Sequence, residues 1–597
     1  MTKRKNNNED EYNAKKKNKT NNFISASSLK NYINKDPIID YLSYWHINDI
    51  SQKPDKKRDK VENNSAFLNY LFDNGIKFEK NIFEKIKESH RTVQVFNDIN
   101  DLNLENFELT KKYLLDGVNI IFQGVLYNFE NNTYGVADLL VRSDYINNLV
   151  PNTIEISDEL INNKFYYFAI DIKNSTIQLN KDGKYVLNSG NLPFYKTQLL
   201  LYTQALSNIF NINITKSFIL GKRYHWSNDC YENNPFAKLG EIDYKNIDSV
   251  YYNKFDESLN WINDLRSNGN KWKLLPKPSR SELYPNMKNN NDFNWRPIKS
   301  QLANKINEIT QIWNVGVKQR IIAHKQKIYS WKNKKCNSKI LGFKDNSVVG
   351  SIVDKIININ RNTCSNNRNT CSNNRNTCSN NKINPQTITY NSNDWKVCPD
   401  DTQEFYIDYE TITNDNNTYI FMIGVGYNDN GWKFKNFSLS ELSDNEFRIM
   451  INDFWIFIKD TMNDKNKINS RFIHWTKAEP SQYYKCVDKF MLPNKNFIDL
   501  FEVFKKEPIV IKGAFGFSLK DIANAMYKNN MIKTCWPSNE TIKCTNGQDA
   551  LLLGINLYKE NNIVKEDNNI LKVIRDYNEV DCKVLFEIIE YLRSTHI

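Results

Sequence analysis

The sequence predicts an α/β fold divided between two domains, and three observations carry that reading. The chain has 597 residues, more than one hydrophobic core supports. Strand-like runs with period-two alternation, such as Tyr134 to Val141 and Phe165 to Lys173, alternate with amphipathic helical runs such as Leu71 to Ile86, the succession an α/β domain requires. That succession restarts after residue 400, beyond a segment at 361 to 381 that reads Arg-Asn-Thr-Cys-Ser-Asn-Asn three times. The repeat has no apolar position, cannot bury a core and is expected to be a disordered linker.

Composition narrows the class further. Hydrophobic residues make up 40% of the chain and aromatic residues 13%, enough to build cores. No apolar run approaches the roughly 18 residues that span a bilayer, and the lysine-rich amino terminus has no apolar core, so a soluble intracellular protein without a membrane partner is expected. The ten cysteines form no Cys-x-x-Cys pair, which suggests neither a zinc ribbon nor a disulfide framework. The 81 Lys+Arg against 69 Asp+Glu leave a net charge of +12, for which a polyanion is the natural partner.

In chain order, residues 1 to 22 form a polar tail. There Lys3-Arg4 followed by Lys15-Lys16-Lys17-Asn18-Lys19 has the form of a two-part nuclear-import signal, and a solubilising tail fits the same residues. A first α/β domain spans 23 to 225, a basic helical connector 226 to 345, a linker 346 to 400 and a second α/β domain 401 to 597. Within the connector, residues 261 to 345 hold 18 Lys+Arg against five Asp+Glu, or +13. Glu308 to Gly316, a helical stretch through Ala323 and Lys327 to Trp331 resemble a degenerate helix-hairpin-helix, with Asn314 where the first glycine usually stands. A plain packed helical pair fits that stretch equally.

Two constellations of charged residues stand out. In the first domain, Glu79 lies beside the apolar stripe of Leu71, Phe72, Ile76, Phe78, Ile82, Phe83 and Ile86, where a carboxylate requires a partner such as a metal. Tyr134-Gly-Val-Ala-Asp138 follows, then Asp171-Ile-Lys173, whose alternation places acid and ammonium on one strand face. Gln198 and Tyr202, four residues apart, share a helix face. In the second domain, Asp408-Tyr-Glu410 again places two acids on one strand face, and Tyr419 to Tyr427 reads as its hairpin partner. Tyr577 and Asp581 share one face of an amphipathic helix.

The order Glu79, Gly-x-x-Asp138, Asp171-x-Lys173, Gln198-x-x-x-Tyr202 resembles the RecB-like branch of the PD-(D/E)xK nucleases. The resemblance implies that Glu79, Asp138 and Asp171 bind Mg²⁺ or Mn²⁺ and that Lys173 orients the attacking water. Gln198 and Tyr202 would position the strand being cut. Some relatives hold an iron–sulfur cluster on four cysteines; only Cys230 lies near this domain, and no cluster is expected. The second constellation resembles the DEDD exonucleases of the ribonuclease-H fold, with the Tyr-x-x-x-Asp ending, and is close to the YprB-like domains fused to RecB-like nucleases. Here the resemblance implies that Asp408, Glu410, a middle acid and Asp581 bind two divalent metals while Tyr577 positions the water. Glu479 fits the middle acid by spacing, and Asp499 is the alternative.

The implied architecture is a PD-(D/E)xK restriction-endonuclease-like domain and a ribonuclease-H-like domain on either side of a helical basic connector. The implied activity is metal-dependent hydrolysis of DNA at ends or flaps, single-stranded or duplex, in repair, recombination or replication. Gly513 to Lys520 resembles a phosphate loop without the Gly-Lys-Ser/Thr ending, so no nucleotide is expected, and a helicase would act in trans. The rival readings are a non-catalytic nucleic-acid-binding scaffold and, for the second domain, an RNA-directed 3′–5′ exonuclease.

Overall fold

The computed structural model describes residues 23–59, 66–97, 102–155, 165–227, 230–361, 382–389, 395–414, 417–490, 496–536, 544, 546–560 and 563–597. The basic tail and the heptapeptide repeat lie outside them, except for Arg361. The protein is a mixed α/β chain that divides into two compact units, 1–306 and 307–597.

The first unit is organised on an eight-stranded mixed sheet. Its path runs β2 (Thr92–Gln94), β3 (Ile120–Asn128), β4 (Thr133–Arg142), β5 (Tyr167–Gln178), β6 (Lys216–Ser227) and β7 (Cys230–Glu232). Strand β1 (Ile24–Ser25) pairs with β4, and β8 (Gly240–Asp243) with β6. Strands β3, β4 and β5 are antiparallel neighbours, whereas β5 and β6 run parallel. The apolar runs of β3 and β5 are buried almost end to end, as strands covered on both faces must be. Helix Leu192–Phe210 supplies much of that cover and buries Leu199, Leu200, Leu201 and Leu206.

Two expectations change here. In helix Ala66–Ser89 only Ile82, Phe83 and Ile86 are buried, while Leu71, Phe72 and Ile76 are exposed. Periodicity locates the apolar face, but full burial is confined to its carboxyl-terminal half, while nearer the start Phe67 meets the Phe293 ring with centroids 6.3 Å apart. The connector of 226 to 345 is also not a separate body. Residues 226 to 306 complete the first unit: β8 joins its sheet, helix Val250–Asn268 buries Tyr251, Phe255 and Trp261, and Lys299 is fully buried. Its ammonium bonds Asp36, the Asn286 carbonyl at 3.0 Å and Asp292 at 2.6 Å. A buried ammonium needs such a set of acceptors, and this one ties helix Arg296–Ile306 to the start of the domain.

The second unit begins with the rest of the connector. Ile309, Ile312, Val315, Ala323, Ile328 and Trp331 enter its core. Helix Val317–Lys325 forms directly after the Asn314 to Gly316 turn, while Ile309–Gln311 before it make only a 3-10 turn and residues 327 to 331 are not helical. The linker expected over 346 to 400 contains helix Val348–Arg361, with Ile352, Val353, Ile356 and Ile357 buried, and a fully buried Trp395. Short strand β9 (Ile383–Asn384) pairs with β15 (Val510–Ile511). The main sheet has five strands ordered β12-β11-β10-β13-β14. They are β10 (Thr402–Asn414), β11 (Asn417–Asn428), β12 (Trp432–Ser438), β13 (Asn469–His474) and β14 (Asn496–Asp499). Strand β10 is central, antiparallel to β11, the expected hairpin partner, and parallel to β13. Helix Asn569–His596 packs on β10 and β11, so its inward face meets the strand that carries Asp408 and Glu410.

Candidate functional sites

In the first unit the six singled-out side chains converge where β4, β5, helix Ala66–Ser89 and helix Leu192–Phe210 meet. Lys173 Nζ lies 2.6 Å from Asp171 Oδ2 and 4.0 Å from Asp138 Oδ2. Asp171 is 1% exposed, and its Oδ1 has no hydrogen-bond partner. The Ile172 amide donates to Asp138 at 2.7 Å. Burial and the neighbouring Asp171 charge push the Asp138 carboxyl well above its ordinary range. Burial works against the Lys173 ammonium, but Asp171 and Asp138 outweigh it and raise its pKa, so it is a fixed cation. Strand β5 shifts register against β6 between Lys173 and Thr176, an irregularity of the kind that re-aims side chains beside sites.

Glu79 accepts a hydrogen bond from Gln123 at 2.9 Å, and burial raises its pKa. Gln123 sits opposite Asp138 with a left-handed φ of 47°, in the gap of the β3–β4 register, which turns its amide toward Glu79. Such backbone strain gathers where the surroundings over-determine it. Gln198 donates to Tyr202 at 3.0 Å, so the pair meets as the i, i+4 spacing requires. Gly135 explains the glycine of Gly-x-x-Asp: a Cβ there would lie 2.8 Å from the Tyr202 ring. Tyr195, which no motif singles out, lies 4.8 Å beneath the Lys173 ammonium. Its spacing three residues before Gln198 is the signal that places it on that face.

The second site is tighter. Asp408, Glu410 and Asp581 each offer a carboxylate oxygen, and these lie within 4.8 Å of one another. Among the described residues no other group of three such side chains gathers to this spacing, Glu79, Asp138 and Asp171 included. Burial comes first and like charge second in lifting these acids: Asp408 is pushed up to about 8, with Glu479 adding to the effect, and Glu410 and Asp581 rise well above their usual range. Buried oxygens crowded in this way fit a hard divalent cation, which removes the repulsion that otherwise forces them to hold protons. The β10–β11 register slips between Glu410 and Thr411, next to the acids. Tyr577 is 8% exposed, and burial with the Asp581, Asp408 and Glu410 charges raises its hydroxyl, so it stays protonated.

The two candidate middle acids, Glu479 and Asp499, differ in their packing, and neither joins the group of Asp408, Glu410 and Asp581. Asp499 Oδ1 accepts from the Thr476 amide and the Phe501 amide, both at 2.9 Å, which makes it the cap of helix Leu500–Lys506. Glu479 is 7% exposed, its charge acts on Asp408 and Glu410, and burial lifts it to about 8. His474 approaches Glu479 at 3.4 Å, but burial lowers the imidazole to about 4, so the contact is not an ion pair at neutral pH.

Three further residues lie at this site, none of them assigned to it by the sequence motifs; Lys520 entered only as the end of the loop-like Gly513 to Lys520 stretch. Asn578 is fully buried and donates to Asp408 Oδ2 at 2.7 Å and to the Asp408 carbonyl at 3.2 Å. Gly424 makes room for it, since a Cβ there would collide with Asn578 Oδ1. Lys520 lies 4.7 Å over the Tyr577 ring. No family model matches the chain, and no curated protein is similar to it.

Proposed function

We propose that the protein is a metal-dependent nuclease that hydrolyses phosphodiester bonds of DNA, with one catalytic centre in each unit. The observation that carries this reading is the gathering of Asp408, Glu410 and Asp581 oxygens within 4.8 Å beside the Tyr577 hydroxyl. A central strand and an i, i+4 helix pair supply it, as the resemblance to DEDD exonucleases requires. Glu79, Asp138 and Asp171 in the first unit and Asp408, Glu410, Glu479 and Asp581 in the second would hold Mg²⁺ or Mn²⁺. The bound cations would polarise the phosphate and lower the pKa of water.

The chain's own groups do the rest. Asn578 fixes the Asp408 carboxylate, the protonated Tyr577 hydroxyl can donate to the attacking water or the phosphate, and Lys173 presents a permanent positive charge to the phosphate in the first unit. In both units sheet strands and helices share the acids: Asp138, Asp171, Asp408 and Glu410 lie on strands and Glu79, Glu479 and Asp581 on helices, which holds them in place before substrate arrives. The test is magnesium-dependent degradation of end-labelled DNA by the full chain and by Asp171→Ala and Asp408→Ala. Degradation unchanged in both variants would refute these sites.

A further inference from the structure

Lys520 stands at the second position of helix Leu519–Lys528, whose cap is Ser518: its hydroxyl accepts from the Asp521 amide at 3.1 Å. Ile522, Ala523, Ala525 and Met526 bury the inner face of that helix, so the lysine projects from a fixed base. Its ammonium lies 4.7 Å over the Tyr577 ring and 5.2 Å over the Trp536 ring. It is the cation whose charge acts on Asp408, Glu410 and Asp581 alike. The first unit repeats the device, with Lys173 lying 4.8 Å over the Tyr195 ring beside its own acids. An ammonium resting on an aromatic face is held in place by the ring quadrupole.

Charge balance gives it a task. Asp408, Glu410, Glu479 and Asp581 carry four negative charges when ionised, which two divalent cations balance. Lys520, on which Asp581, Asp549 and Glu410 all act, adds a positive charge beside the Tyr577 ring, where a singly negative phosphodiester would approach the acids. We propose that Lys520 is a catalytic residue of the second site, its ammonium binding a non-bridging oxygen of the scissile phosphodiester near a 3′ end. The inference rests on the nuclease reading above. In the step it serves, a bond forms between water oxygen and phosphorus. The bond from phosphorus to the 3′-oxygen of the penultimate sugar breaks, and the proton of water passes to that oxygen or to solvent. Lys520 neither gives nor takes a proton; it stabilises the charge that grows on the non-bridging oxygens.

The test uses the full chain carrying Asp171→Ala, so that only the second site degrades single-stranded DNA labelled at its 3′ end. Lys520→Met, which keeps the apolar stem, is expected to lower kcat/KM by roughly tenfold to a hundredfold, and Lys520→Arg to retain more activity than Lys520→Met. Mn²⁺ affinity measured by calorimetry without DNA should be unchanged or tighter in Lys520→Met, because a cation beside the acids has been removed. Its melting temperature should match the parent. Hydrolysis at the parent rate would overturn the proposal, and so would a loss accompanied by weaker Mn²⁺ binding or a lowered melting temperature. Asp408→Ala in the same background separates the two ideas: full hydrolysis there would overturn the nuclease reading itself.

Discussion

Asp408 and Glu479 show what the second site costs when no cation is present. Both are buried acids held at about 8, far above the values of exposed carboxyls. Between about pH 4 and about pH 8 the folded unit keeps these protons while the unfolded chain has lost them, so stability falls as pH rises through that window. In EDTA the melting temperature of the second unit should therefore drop from pH 5 to about pH 8. Mg²⁺ should raise it more at the upper end; an equal effect at both ends would contradict the assignment. Asn578→Ala leaves Asp408 without its amide donor and should cost about 1 to 3 kcal/mol of stability, measured by denaturant unfolding. Gly135→Ala should cost a similar amount in the first unit by overpacking against Tyr202.

Strands and helices determine how much of the site is legible in the sequence. Period two places Asp171 with Lys173 and Asp408 with Glu410, and the i, i+4 rule pairs Gln198 with Tyr202 and Tyr577 with Asp581, because these relations are local to one element. What needs a second element is out of reach. Gln123 reaches Glu79 only through a break in the β3–β4 register, and Asn578 reaches Asp408 only because Gly424 leaves a gap. Helix Val348–Arg361 is hidden because its Asn and Ile residues adjoin the repeat and read as linker. The exposed Leu71, Phe72 and Ile76 show that periodicity names a face but not what lies under it. Capping separates the two candidate middle acids. Asp499→Ala removes a helix cap and should cost about 0.5 to 2 kcal/mol while Mn²⁺ affinity is kept. Glu479→Gln should weaken Mn²⁺ binding with little loss of stability. Calorimetry and thermal melting of both variants check this, and the reverse pattern would make Asp499 the ligand.

Charge is distributed across the whole molecule differently from the connector picture. Of the +13 over residues 261 to 345, residues 261 to 306 carry nine Lys+Arg against three acids, and 307 to 345 carry nine against two. The division between units falls between these two segments, so each unit takes a comparable share, +6 and +7. Lys318, Lys325 and Lys327 are exposed on the second unit's share. Replacing all three with Gln should lower the salt dependence of single-stranded DNA binding by about 0.7 in log–log slope for each phosphate that a lysine no longer neutralises. Anisotropy titrations in EDTA across salt concentrations would show it; an unchanged slope would remove these lysines from the interface. Among the described residues no helix is long and apolar enough to cross a membrane. The two proposed metal-dependent centres are tested together by magnesium-dependent degradation of 5′- and 3′-labelled single-stranded DNA by wild type, Asp171→Ala, Asp408→Ala and the double variant. Each single variant should lose part of the degradation and the double variant all of it; a double variant that degrades DNA at the wild-type rate would place the chemistry outside both centres.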